Sequence, residues 1–276
     1  MHNLKRQLIS TVSLIAITVN LLFWIPFLIV LALLKAIFRQ QLIVSWCDML
    51  VDRIYRIAVW FDHFWLTKVL GIVLSIKGTL PLERETNCIV ISNHRSWFDI
   101  LILQSLIVRN GPLLMFLIKQ ELIYVPVVGW ICMALNFPRL NRGKTKAGRS
   151  QDYASVASAT RRPGALTNFA EGTRFTAEKH QQQASIYQHL LTPRSGGFRI
   201  MLQNLPDSPV FDITLVYPKD GLTFWSCLNG EHKLYDIYVS AFQAAEIPDD
   251  PTLWLSERWQ EKDLIIANSR QSHLKL

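Results

Sequence analysis

The 28 residues from Gln7 to Leu34 contain no Lys, Arg, Asp or Glu. No other stretch limits the fold as strongly. As one helix the segment is about 42 Å long, against a bilayer hydrocarbon core of about 30 Å. A core helix of a water-soluble domain has no use for that length. A signal peptide has a shorter apolar core and a small-residue cleavage site, and neither is present here. Two membrane arrangements fit. One is a long, tilted span. The other is a helical hairpin that dips into the bilayer and returns, broken near Pro26. Lys5 and Arg6 precede the segment, and Lys35 and Arg39 follow it. The positive-inside rule therefore fixes no orientation, although basic residues at both ends favour a hairpin with both ends cytosolic.

A second stretch, Leu42 to Leu66, has a different pattern. At helical spacing Asp48, Asp52, Arg53, Arg56, Asp62 and His63 fall on one half of the wheel, and Trp46, Leu50, Ile57, Phe61 and Phe64 on the other. Trp and Phe in such numbers suit a helix lying at a membrane interface. The pattern alone fits a helix packed on a soluble domain equally well. Residues 1–68 are thus expected to anchor the chain, leaving 69–276 as a single domain, a size that fits one α/β unit. Half the residues are hydrophobic and the net charge is +8, with mean hydropathy +0.19 and a pI near 9.4. A basic chain seeks polyanions. The sequence has no zinc-finger spacing and no arginine-rich arm, so anionic lipid is expected and nucleic acid is not. Cys47, Cys88, Cys132 and Cys227 form no C-x-x-C and sit among apolar residues, which implies reduced core thiols and no metal site.

From Leu70 onward strands alternate with helices. Strands are expected at Leu70–Lys77, Asn87–Ile91, Leu113–Lys119, Ala165–Ala170, Val210–Tyr217 and Tyr235–Phe242. Helices are expected at Ile100–Val108, Gly143–Arg162, Gln181–Leu191 and from Asp250-Pro251 to about Ser269, with a turn from Tyr124 to Trp130. The fold class that follows is α/β: a mixed, mostly parallel sheet flanked by helices, behind an N-terminal membrane-anchoring helical segment.

Asn93-His94-Arg95-Ser96-Trp97-Phe98-Asp99 joins the second of these strands to the first of these helices. In α/β folds active-site groups gather at such carboxyl ends of strands. Histidine serves as a base near neutral pH. A carboxylate on its other ring nitrogen fixes the tautomer and stabilises the imidazolium, as in a Ser-His-Asp triad. No serine nucleophile is evident, so the nucleophile is read as a hydroxyl on the substrate. H-x4-D alone arises by chance in about one such chain in three, and the alternative is a turn histidine beside a helix-start aspartate. Glu171-Gly172-Thr173-Arg174 follows another apolar strand. Gly permits close backbone approach, Thr offers a hydroxyl and Arg a fork of donors matched to phosphate oxygens. Taken alone, it also reads as a turn with a surface Arg-Glu pair. Lys119 ends a strand, and Arg139 and Arg142 follow another apolar stretch.

Together these motifs resemble the glycerolipid acyltransferases, the family of 1-acylglycerol-3-phosphate acyltransferases. Asn93 to Asp99 looks like the first block of that family. Lys119-Gln120-Glu121-Leu122, with Pro126, Gly129, Trp130 and then Arg142, looks like the second. Phe169-Ala170-Glu171-Gly172-Thr173-Arg174 looks like the third, with Ala170 where the family usually has Pro. Pro193-Arg194 and Gly196-Gly197-Phe198 look like the fourth. The resemblance spans about Leu70 to Tyr217. It implies that His94 is the general base and Asp99 its orienting partner. It implies that Lys119, Arg142, Glu171, Gly172, Thr173 and Arg174 shape a phosphate site, with Pro193 and Gly197 holding a loop near the acyl donor. The implied reaction moves an acyl chain from acyl-CoA or acyl carrier protein to the glycerol hydroxyl of lysophosphatidic acid, without an acyl-enzyme, metal or cofactor. A lysophospholipid with a larger head group is the alternative acceptor. A lipid-binding module without catalysis would not need the base, and a thioesterase would not need the phosphate cradle. The expected setting is a membrane, with the catalytic domain on the cytoplasmic face (the inner membrane if bacterial).

Overall fold

The computed structural model describes residues 2–125, 128–141 and 146–273. Two long helices come first, α1 (His2–Ile37) and α2 (Gln41–Phe64), followed by a short wide turn of helix, Trp65–Val69. The chain then runs through β1 (Val73–Lys77), β2 (Cys88–Ser92), α3 (Phe98–Ile107), β3 (Leu113–Phe116), β4 (Ile118–Lys119), α4 (Val128–Ala134), β5 (Arg139–Leu140), α5 (Lys146–Ala159) and β6 (Gly164–Phe169). It continues through α6 (Ala177–Gln183), α7 (Ser195–Asn204), β7 (Pro209–Val216), α8 (Phe224–Cys227), β8 (Leu234–Gln243) and α9 (Thr252–His273).

Six strands form one sheet in the order β1-β8-β7-β2-β6-β3. β7, β2, β6 and β3 run parallel; β8 is antiparallel to β7, and β1 lies parallel to β8 at the edge. This is the mixed, mostly parallel α/β sheet expected. Its central strand β2, Cys-Ile-Val-Ile-Ser, is buried at every position, because helices cover both faces of the sheet. Strand alternation divides its side chains between two cores. Cys88 and Val90 join Phe98, Leu103 and Tyr235 on one face. Ile89 and Ile91 join Phe198, Met201 and Trp259 on the other. On β7 the same alternation turns Asp212 and Thr214 towards α9. There Arg258 donates to Asp212 at 2.9 Å, and the fully buried Lys262 pairs with Asp212 and donates to the Ile213 carbonyl at 2.7 Å. A buried carboxylate needs such partners.

Pro26 does not break α1, which continues as one helix to Ile37. A hairpin does form, but its turn is at Phe38–Gln40 and its returning arm is α2. Among the described residues α1 is the one helix long and apolar enough to cross a membrane. The two arms turn their polar groups inward. Asn20 donates to Asp62 at 2.9 Å, Lys35 pairs with Asp48 at 2.7 Å, and Arg162 reaches the same carboxylate at 2.7 Å. Ser10 donates to the Trp225 carbonyl, and Arg56 donates to the carbonyls of Val108 and Gly111. Phe23, Phe27, Trp46, Leu50, Ile57 and Trp60 face outward and are exposed, Trp60 to 60%. A helix packed on a soluble domain has the opposite sense. An exposed apolar face this large suits a membrane surface. The other side of the hairpin packs into the core of the sheet domain: Leu28, Leu31, Val51 and Val59 share one cluster with Phe98 and Tyr235. The chain passes from the hairpin to the sheet through the turn Trp65–Val69.

Three local expectations differ from the structure. Of the turn expected at Tyr124–Trp130, Tyr124 ends a 3-10 turn, Gln120–Tyr124, residues 126–127 lie outside the described ones, and residues 128–130 open α4, whose Cys132, Ala134 and neighbouring Leu135 are buried. Leu113–Lys119 is two strands: Leu117 bonds to Thr167 of the main sheet, and Ile118–Lys119 then pairs with β5. Gln181–Leu191 is helical only over Gln181–Gln183, the last residues of α6. Thr176 caps α6, which ends at Ala184 with φ +46°. Side chains then hold the backbone away from helix: His180 bonds the Tyr187 carbonyl, Ser185 the Leu190 carbonyl, and Asp263 accepts from the amides of Gln188 and His189.

Candidate active site

Two adjacent parallel strands carry the two motifs. β2 and β6 pair in register from Cys88↔Ala165 to Ser92↔Phe169. Their carboxyl ends therefore release His94 and Glu171-Gly172-Thr173-Arg174 on one edge of the sheet. Asn93 pins that edge on the other side: its carboxamide donates to the Leu215 carbonyl at 3.0 Å and accepts from the Leu215 amide at 2.8 Å. The Phe175 amide donates to the His94 carbonyl at 2.8 Å, so the two turns are tied directly.

The histidine and the aspartate meet. His94 Nδ1 lies 2.8 Å from Asp99 Oδ2. The same oxygen accepts the amides of Arg95 at 2.6 Å and Ser96 at 2.9 Å. An ionised carboxylate only accepts, so Nδ1 holds the proton and Nε2 keeps a free lone pair. The imidazole is also fixed by stacking on Phe169, with centroids 3.9 Å apart and planes at 10°. Asp99 is fully buried and His94 nearly so. The arrangement can act as a base with its orienting partner, held at the turn that leads into α3.

His94 opens onto a cavity of about 540 Å³ between the N-terminal hairpin and the sheet edge. Most of its wall is apolar, from Leu21, Trp24 and Leu28 of α1, Val59 of α2, and Ile131 and Phe137 beyond. Lys119, Gly172, Thr173 and Arg174 line it together with His94. Gly172 has φ +69°, a conformation only glycine adopts cheaply. The Arg174 guanidinium sits 5.0 Å above the Trp97 ring. Lys179 braces the turn from below, donating to Thr173 Oγ1 at 2.7 Å and the Arg174 carbonyl at 3.1 Å. Pro193 and Gly197 flank the start of α7, where the Arg194 amide bonds the Ala170 carbonyl at 2.7 Å. Arg142 lies outside the described residues.

Glu171 does not line the cavity. It is fully buried, and among the described residues neither carboxylate oxygen has a partner at good hydrogen-bond geometry, although the backbone of His94 and Leu191 lies close. It shapes the turn from within rather than touching the space beside His94. Burial pushes its carboxyl up from 4.5 to about 8, and the Arg95 guanidinium and the nearby backbone of His94 and Leu191 offset this only in part. Because the folded value lies above the unfolded one, the neutral form stabilises the fold. That contribution is whole below about pH 4.5 and is lost as pH rises through about 8. Glu171→Gln should therefore match the wild type at about pH 4 and unfold at a higher temperature at pH 8, a gap on the order of a few kcal/mol. Thermal unfolding in detergent at the two pH values checks this; parallel curves would mean that Glu171 carries charge throughout.

Two residues of the site were not picked out by the sequence pattern. Asn168 lines the cavity beside Phe169. Tyr217, at the end of β7, donates to Asp99 Oδ1 at 2.5 Å. A strand-ending tyrosine 118 positions from its partner leaves no local signal.

The sheet edge thus carries a buried His94–Asp99 pair beside an apolar cleft, an arrangement that can serve base-assisted transfer. A family model described as Acyltransferase matches residues 73–217. A 1-acyl-sn-glycerol-3-phosphate acyltransferase delta from Bos taurus is 32% identical over 201 residues, covering 66% of this chain and 53% of that protein. Lysocardiolipin acyltransferase 1 from Mus musculus is 28% identical over 244 residues, covering 79% of this chain and 63% of that protein. The crystal structure of the 1-acyl-sn-glycerophosphate acyltransferase PlsC from Thermotoga maritima shares the fold, with TM-score 0.60 over 97% of this chain and 98% of that one, at 15% identity. The chain belongs to the acyltransferase family. It spans about half the length of the delta-type relatives it matches.

Proposed function

We propose that the protein acylates the free glycerol hydroxyl of lysophosphatidic acid, giving phosphatidic acid, with acyl-CoA or acyl carrier protein as donor. The observation that carries this reading is the buried His94–Asp99 pair, whose free Nε2 opens onto an apolar cleft flanked by Arg174 and Lys119. His94 Nε2 takes the hydroxyl proton as the oxygen attacks the thioester carbonyl. The imidazolium that forms is stabilised by Asp99. The tetrahedral intermediate collapses, the carbon–sulfur bond breaks, and the thiolate takes the proton from His94. The ester is the product, and no group on the chain becomes acylated. The apolar wall suits a fatty acyl chain, and Arg174, Thr173 and Lys119 suit the acceptor phosphate. Arg142 is assigned to the same phosphate by resemblance alone. Metal and cofactor have no role in this scheme, because the thioester is already activated. The membrane-facing hairpin delivers the site to its lipid substrates from the cytoplasmic side.

A lysophospholipid with a larger head group is the second reading, supported by the similarity to lysocardiolipin acyltransferase 1. In either case the acceptor carries phosphate, and Arg174 is the group to test. Arginine meets phosphate through two parallel charge-assisted bonds that lysine does not reproduce. Arg174→Lys should lower acceptor kcat/KM by about 10- to 150-fold and leave donor KM nearly unchanged. Steady-state kinetics with both substrates varied, at one salt concentration, read this. A rise confined to donor KM would move Arg174 to the nucleotide part of the donor.

A further inference from the structure

Asp99 has two oxygens, and His94 uses one. Oδ2 takes His94 Nδ1 and the amides of Arg95 and Ser96. Oδ1 accepts, among the described residues, from Tyr217 Oη alone, at 2.5 Å. The phenol is fully buried. It is placed by the end of β7, by an edge-on contact with the Tyr235 ring at 5.2 Å, and by Ser96 Oγ at 3.2 Å. Ser96 Oγ in turn accepts the Phe98 amide at 2.9 Å, at the first turn of α3. The phenol thus links β7 to the start of the helix that carries Asp99.

We infer that Tyr217 is a positioning residue of the dyad, holding the Asp99 carboxylate in plane and drawing part of its charge away from the oxygen that faces His94 Nδ1. This rests on the acyl-transfer reading for its consequence in turnover, though not for its effect on His94. A phenol donating to Oδ1 spreads the carboxylate charge away from Oδ2. Without it, the charge concentrates on the oxygen facing His94, and the imidazolium is held more tightly. Burial and the neighbouring carboxylate both raise the Tyr217 phenol well above its ordinary range, so it remains a donor. The other groups that face the carboxylate are few. Cys227 on α8 and Tyr235 on β8 are both held neutral by burial. Glu171, from the turn after β6, is neutral until about pH 8. Arg95 turns its guanidinium to Asp220 and the His189 carbonyl. Lys119 and Arg174 line the cavity onto which His94 opens.

The experiment compares the full-length wild type, Tyr217→Phe and Tyr235→Phe in detergent. Tyr235 makes the same ring contact but gives no hydrogen bond to Asp99, so it reports packing loss alone. Tyr217→Phe should move the acid limb of kcat/KM to higher pH by about half to one unit. One unit below the wild-type midpoint, its kcat/KM should fall about three- to tenfold. Tyr235→Phe should leave the limb in place. The His94 imidazole resonance, assigned by its loss in His94→Ala, should titrate with the same displacement whether or not the assay shows turnover. If Tyr217→Phe does not fold, 3-fluorotyrosine at position 217, a stronger donor of nearly the same shape, should move the titration to lower pH. An unmoved His94 titration in the folded variant, or an equal shift in Tyr235→Phe, overturns the inference. A wild type that titrates as expected but transfers no acyl group leaves this inference standing and removes the proposed reaction instead.

Discussion

His94→Ala should lower kcat/KM for acyl transfer by about 10²–10⁴-fold while the protein still folds and still associates with membranes. Among the described residues the side chain has one hydrogen-bonded partner, Asp99, and one ring neighbour, Phe169. Removing it leaves Asp99 with both backbone amides and Tyr217, so the carboxylate is not stranded and the turn keeps its ties. What is lost is the lone pair at Nε2. Steady-state rates beside a thermal unfolding curve separate the two effects. A variant that turns over near the wild-type rate would end the base-catalysed mechanism.

Asp99→Asn should be milder, with a fall of about 10- to 10³-fold. In a triad the same change favours the wrong histidine tautomer. Here the two amides that converge on Oδ2 constrain the carboxamide, since its oxygen must face them and its NH2 must face Tyr217. Tyr217 can accept from that NH2 and donate to Ser96, 3.2 Å away. The oxygen still receives His94 Nδ1–H, so the productive tautomer survives. What disappears is the negative charge that stabilises the imidazolium. The acid limb of kcat/KM should accordingly move to lower pH, the reverse of Tyr217→Phe. The pH profile checks this directly. A limb that stays put while kcat collapses would indicate tautomer loss, with the carboxamide turned the other way.

The parts of this site that were legible in the sequence are local. His94 and Asp99 meet because five residues of one strand-to-helix turn bring them together. Glu171 to Arg174 joins them because it follows the neighbouring strand β6 at the same register. Strand alternation predicts which side of β2 each residue faces. Long-range pairings were not legible. Tyr217 reaches Asp99 only because β7 lies beside β2. The polar half of α2 pointed to solvent in any periodicity analysis, yet Asp48, Asp52, Arg56 and Asp62 are all paired, and it is Trp46 and Trp60 that are exposed. Periodicity gives two faces and cannot say which one the membrane takes. Residues 184–191 looked helical because the side chain that takes their backbone amides, Asp263, comes from a helix some 75 residues later. Glu171 read as a phosphate-site residue by its place in the motif, and only its burial shows that it faces the core.

The most direct measurement is product analysis by mass spectrometry of the purified full-length protein in detergent. Lysophosphatidic acid and lysophospholipids with larger head groups are crossed with acyl-CoA and acyl-carrier-protein donors, with His94→Ala run in parallel. Diacyl product should form with at least one acceptor and donor, with one free thiol released per ester made, and almost none should form with His94→Ala. Release of free fatty acid without ester, or equal product from His94→Ala, would contradict transfer to a lipid hydroxyl by the His94–Asp99 pair.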